Sequence, residues 1–161
     1  MLFRSPSGNG QTRISGGSTT RRVGVTSPAV TERSPKALVV DDSPEILHLV
    51  ASALRRDGFE VAEAADGTTA VESARADGPD LVVLDMQIGT MGGIAVTMDL
   101  RLDESSNSLP HVPILVLLDR TVDIHMARRS GADGWLIKPL DSLRLRRAAR
   151  AVAGEIGRAH V

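Results

Sequence analysis

The sequence contains no cysteine, which excludes disulfides, thiolate metal sites and a thiol nucleophile, and fits a reducing compartment. Tyrosine is absent too, and there are only 2 Phe and 1 Trp, so a core must be assembled from Val, Leu, Ile and Ala. Aliphatic runs of that kind suit strands buried on both faces of a parallel sheet. No apolar stretch approaches the ~18 residues of a membrane span, and the start Met1 to Phe3 is too short for the core of a secretion signal. The expected setting is soluble and cytoplasmic. A dominant charge is missing as well: 19 basic and 20 acidic side chains leave a net charge of −1, so nothing global attracts the chain to nucleic acid or an anionic membrane. A length of 161 residues allows one ordinary domain.

Residues 1–35 are rich in Ser, Gly, Thr, Pro and Arg and lack sustained apolar periodicity. Such a segment cannot bury enough surface to offset chain entropy, so a disordered arm is expected. A translation start assigned too early, with the true one near Val23 or Val25, would give the same pattern. The arginines Arg4, Arg13, Arg21, Arg22 and Arg33 read as a solvated tail. At the other end, residues 155–161 look like the in-frame translation of a common sequencing adapter. Their natural origin is doubtful on that reading, and the gene would be cut off in or just after the last helix.

From Lys36 the pattern changes to short apolar runs alternating with longer helical patterns, the signature of repeated βαβ units. Strands are expected at Ala37–Val40, Glu60–Ala64, Leu81–Leu84, Ile114–Leu118 and Trp135–Ile137. Ser43, Pro44 and Glu45 supply a cap, a first-turn proline and a favourable charge for the first helix. Its apolar face is Ile46, Leu47, Val50, Ala53 and Leu54, and it stops near Gly58. Asp66 caps a second helix running to about Ala76. Gly92 and Gly93 open a third, with Ile94, Val96 and Leu100 on its apolar face and a polar loop from Asp103 to Ser108 behind it. Thr121 starts a fourth that ends at Ser130 and Gly131, and Asp141 caps a fifth. Right-handed crossovers fold residues 36–154 into a three-layer α/β/α sandwich on a five-stranded parallel sheet, for which the order 2-1-3-4-5 is taken.

The charged residues of interest follow strands: Asp41 and Asp42 the first, Asp85 the third, Lys138 the fifth. In a parallel sheet all these ends lie on one edge, and with that strand order the winding reverses between strands 1 and 3, which places the three aspartates together. Three carboxylates in one crevice repel, and a hard divalent cation relieves that better than proton uptake at neutral pH. Mg²⁺ is the natural occupant. With an ammonium from Lys138 it would neutralise an incoming phosphoryl group while one aspartate attacks in line. Aspartates also follow strands merely as caps and turn formers, but the whole set on matching elements is hard to obtain by chance.

The residues Leu38 to Asp42, Val82 to Met86, Gly93 and Gly131 to Pro139 resemble the receiver domains of response regulators, over about Lys36 to Gly154. The resemblance implies the flavodoxin-like receiver fold, with Asp85 accepting phosphate from a histidine kinase or histidine phosphotransfer protein. It further implies Asp42 as a direct Mg²⁺ ligand, Asp41 as a helper often acting through water, and the Gln87 backbone carbonyl as another ligand. Lys138 would contact the phosphoryl group, Pro139 would follow a cis peptide bond, and Trp135 falls at the family's aromatic switch position. Helix 4, strand 5 and helix 5 would form the output or homodimer surface.

Three departures stand out. Gly89 replaces a usual proline and loosens its loop. Leu118 replaces the Ser or Thr that normally bonds the phosphoryl group and couples it to the aromatic switch. Asp119 occupies a site that is commonly small, and the segment before helix 4 is about two residues short. The acceptor machinery is complete and the read-out altered. Slow phosphorylation and weak coupling are therefore expected, with Trp135 equally readable as a packed aromatic. Arg144, Arg146, Arg147 and Arg150 read as a solvated face, and His48, His111, His125 and His160 as surface residues without metal-site spacing. The rival reading is a pseudo-receiver, a phosphorylation-independent protein-binding module. A metal-dependent phosphohydrolase is weaker, because no acidic residue stands two positions after Asp85 and no separate base is evident.

Overall fold

The computed structural model describes residues 33–159 apart from Thr90. The arm expected at residues 1–35 lies almost wholly outside the described residues. Five strands form, β1 (Lys36–Val40), β2 (Glu60–Ala64), β3 (Leu81–Asp85), β4 (Ile114–Leu118) and β5 (Gly134–Ile137). They pair in parallel in the order β2-β1-β3-β4-β5. The helices are α1 (Pro44–Arg56), α2 (Gly67–Asp77), α3 (Gly93–Ser105), α4 (Ile124–Arg129) and α5 (Ser142–Ala159). This is the expected sandwich with the expected strand order.

The composition explains which strands are central. β3 and β4 are apolar almost throughout and buried along their whole length, as a strand covered by helices on both faces must be. β2, with its sequence Glu-Val-Ala-Glu-Ala, is largely exposed and takes an edge. Alternation along the strands then splits the core in two. Leu38, Val40, Val82, Leu84, Ile114, Val116 and Leu118 pack with residues of α2, α3 and α4 such as Ala70, Val96, Leu100 and Ala127. Ala37, Val39, Leu81, Val83, Leu115 and Leu117 face the other way, against Val50, Ala53 and Leu54 of α1 and Leu145, Ala149 and Val152 of α5.

Helix starts follow the capping chemistry. The side chain of Ser43 accepts from Ile46 N at 3.4 Å, Asp66 from Thr69 N at 2.8 Å, and Asp141 from Arg144 N at 2.8 Å. Two local expectations need correction. The loop expected from Asp103 is helical as far as Ser105, because Arg75 of α2 holds Asp103 at 2.6 Å and adds to the packing between the two helices. The fourth helix opens as a 3-10 turn, Thr121–Asp123, and has only 6 α-helical residues. Arg120 pairs with the buried Asp123 at 3.0 Å, anchoring that turn.

Candidate functional site

Register assembles the site. Val40 lies beside Leu84 and Leu118 beside Ile137, so one residue further Asp41 adjoins Asp85 and Asp119 adjoins Lys138. Asp41 and Asp85 are both buried, at 2% and 3% exposure. One oxygen of each is satisfied: Asp41 Oδ1 accepts from Ser43 N at 2.9 Å, and Asp85 Oδ2 from Gln87 N at 2.9 Å. The other two, Asp41 Oδ2 and Asp85 Oδ1, are buried without a hydrogen bond. Lys138 Nζ approaches Asp85 Oδ1 to 2.5 Å, an ion contact without hydrogen-bond directionality. The loop carrying this lysine is fixed by Lys138 N donating to Leu118 O at 2.8 Å and by a cis Lys138–Pro139 bond. Gly93 is required by close approach: its N donates to Met86 O at 2.8 Å, and a Cβ there would overlap the Asp85 carbonyl and lie 2.6 Å from Leu84 Cδ1.

Burial, and then the nearby charges of Asp85 and Asp42, push the Asp41 carboxyl above the usual carboxylate range, against the opposing pull of Ser43 N–H and Lys138. For Lys138 burial works against the charge, yet the carboxylates of Asp85 and Asp119 outweigh it and hold the ammonium above its ordinary value. A buried oxygen left without any partner costs roughly 1–3 kcal/mol; Asp41 Oδ2 is such an atom, while Asp85 Oδ1 is matched by the Lys138 ammonium. A set of carboxylate oxygens, one of them without any partner, fits a hard divalent cation such as Mg²⁺. Asp42 is exposed, and its Oδ2 accepts from Gly89 N at 3.1 Å, tying two loops across the mouth. Among the described residues no three His, Asp or Glu side chains form a ready-made metal cage, so Asp42 would have to turn inward to join one. Gln87 is exposed, and its N–H is spent on Asp85.

The departures noted in the sequence fall into two places. Leu118 is fully buried, in the same apolar cluster against which Trp135 and Ile137 pack. Trp135 also carries the Arg128 guanidinium over its ring, 5.1 Å from the centroid. Asp119, by contrast, lies 3.3 Å from Lys138 Nζ. Sequence reasoning singled out Asp119 but missed this pairing, although parallel register between β4 and β5 contains the signal. The arginines of α5 gain partners that the sequence did not show. Arg146 and Arg150 converge on Asp57 at the end of α1, at 3.2 and 2.6 Å, and Arg144 bonds the carbonyls of Pro139 and Ile137. Arg144, Arg147 and Arg150 nonetheless remain exposed, as a solvated face requires. His48, His111 and His125 are exposed as expected, and His160 lies outside the described residues.

Known proteins share this architecture. A family model described as the response regulator receiver domain matches residues 37–150. The transcriptional regulatory protein PrrA of Mycobacterium tuberculosis is 41% identical over 108 residues, covering 66% of this chain and 44% of that protein. The chain thus spans about half the length of the curated relatives it matches. The chemotaxis response regulator CheY4 of Vibrio cholerae is 30% identical with a TM-score of 0.68, over 74% of this chain and 99% of that one. The receiver domain of the sensor histidine kinase PA1611 of Pseudomonas aeruginosa is 27% identical with a TM-score of 0.67, over 76% and 99%. That structure has a magnesium ion coordinated in its active-site cleft.

Proposed function

The chain belongs to the receiver-domain family of response regulators, and from that premise we propose that it is a phosphorylated switch whose acceptor is Asp85. A histidine kinase or histidine phosphotransfer protein is the donor. The carrying observation is the buried Asp85 Oδ1, which has no hydrogen bond and sits 2.5 Å from the Lys138 ammonium. That pairing supports the reading, because a carboxylate beside a fixed cation can attack phosphorus while the cation balances the charge that arrives. In the transfer a new O–P bond forms at Asp85, the P–N bond of the phosphohistidine breaks, and its electron pair stays on the imidazole nitrogen, which takes a proton from water. Lys138 neutralises the transferred group.

Asp41 and Asp85, with Asp42 and the Gln87 carbonyl, would hold Mg²⁺, which when bound neutralises phosphoryl oxygens. The magnesium in the cleft of the PA1611 receiver supports that reading. The partner surface comprises α4, β5 and α5, where Trp135 and Arg128 lie. Incubation with Mg²⁺ and a small acyl-phosphate donor should give an acyl phosphate that hydroxylamine removes. Asp85→Asn should abolish it, and labelling that persists in this variant refutes the assignment. A wild type that stays unlabelled while binding its partner favours the phosphorylation-independent module.

A further inference from the structure

The resting structure divides one ammonium between two carboxylates. Lys138 Nζ is 2.5 Å from Asp85 Oδ1 and 3.3 Å from Asp119 Oδ1. Asp119 directly follows Leu118, the fully buried residue with no hydroxyl to offer a phosphoryl group. Its other cationic neighbour, Arg120, donates to Asp123 at 3.1 and 3.0 Å. Asp119 thus stands between the fixed end of β4 and the pinned 3-10 turn, and Lys138 is the only cation that an ion pair of the described residues gives it.

Resting on Asp85 as acceptor, we propose that Asp119 is the read-out residue of this receiver, a tether on Lys138 that phosphorylation releases. A phosphoryl group on Asp85 draws the ammonium to its own oxygens. Asp119 loses its partner and faces a dianion across the same crevice. The segment from Asp119 through the 3-10 turn to α4 is then pushed outward by like charge, where a hydroxyl would draw it inward by a hydrogen bond. α4 has only 6 helical residues, so the movement has to overcome the Arg120–Asp123 pair and the packing of Ala127 but not a long helix.

Amide exchange of residues 119–129 tests both halves. Without donor, Asp119→Asn should raise exchange there by about two- to fivefold, the factor matching a partly exposed ion pair. Asp119→Glu should restore protection, and the difference should shrink as salt is added. No change on Asp119→Asn, or a change insensitive to salt, overturns the tether. With Mg²⁺ and acyl-phosphate donor, wild type should gain exchange in this segment while Asp119→Asn, still labelled at Asp85, does not. Increased protection in the phosphorylated wild type overturns the release. A wild type that forms no acyl phosphate overturns the acceptor reading and the release together, and the donor-free comparison still decides the tether.

Discussion

The two ends of the sheet use the same kinds of residue in opposite ways. At the amino end of β4 and β5, Arg101 donates to Glu104 at 2.9 Å, Asp133 at 2.5 Å, and the carbonyls of Gly131 and Val112 at 2.9 Å each. Asp133 also accepts from Ile114 N at 2.8 Å, and His111 bonds Glu104 at 2.9 Å. Across the sheet Asp80 caps the start of β1 by accepting from Lys36 N at 2.8 Å. At the carboxyl end, Asp41 and Asp85 are buried more deeply, yet each keeps an oxygen without a hydrogen bond. A satisfied network holds elements together. A carboxylate oxygen buried without any partner, as on Asp41, costs stability unless something else binds it.

Breaking the satisfied end should have the largest effect on stability. Arg101→Met keeps much of the volume but leaves Asp133 and Glu104 without their guanidinium, and should lower unfolding stability by about 2–3 kcal/mol, as loss of several half-buried hydrogen bonds to charged groups does. Urea unfolding measures it, and acyl-phosphate formation by the folded fraction should be unchanged. A loss well under ~1 kcal/mol would mean water already serves these groups and the contrast between the ends fails.

Asp41→Asn probes the unsatisfied end and should have the opposite sign, a gain of about 1–2 kcal/mol at neutral pH without Mg²⁺. Because the folded carboxyl titrates above the ordinary 3.8, the native state binds more protons than the unfolded one between those values. Asp41 therefore costs stability increasingly as pH rises through that window, and fully above it. The gain from Asp41→Asn should shrink as pH falls through that window and be gone below ~3.8. Adding Mg²⁺ should stabilise wild type, by about 1.4 kcal/mol at tenfold excess over its Kd, and the variant less. A destabilised variant at neutral pH would show that the orphan oxygen is hydrated and no strain is stored there.

How much of this was readable beforehand depends on range. Strand order is non-local and was adopted with the architecture, whereas the strand spans and three of the caps follow from local rules, since Ser43, Asp66 and Asp141 act on N–H groups three residues away. So do the four charged residues at strand ends, because parallel pairing sends every such end to one edge. The pairings that were missed cross long sequence gaps. Asp119 with Lys138 needs the register of β4 against β5, and Asp57 with Arg146 and Arg150 needs the packing of α1 on α5. The short α4 was unreadable because Arg120 and Asp123 stabilise a 3-10 turn where periodicity alone continues a helix.

Asp57 gives the smallest and most discriminating effect. Its side chain is 2% exposed and accepts from Arg150 at 2.7 and 2.6 Å and from Arg146 at 3.3 and 3.2 Å. In satisfaction it matches the amino end, yet its arginines stand mostly in solvent. The Arg150 hydrogen bonds hold its carboxyl below the usual carboxylate range, against a smaller push from burial. A lowered folded value makes the contribution fully present above the ordinary 3.8 and lost as pH falls below it through the folded value. Asp57→Ala should therefore lower the thermal midpoint by only a few degrees at neutral pH, with the difference closing in acid. Phosphorylation of Asp85 and the exchange of residues 119–129 should be unaffected. A change in either would mean that the α1–α5 clamp communicates with the crevice, and that a fully paired charge in this fold can belong to the switch.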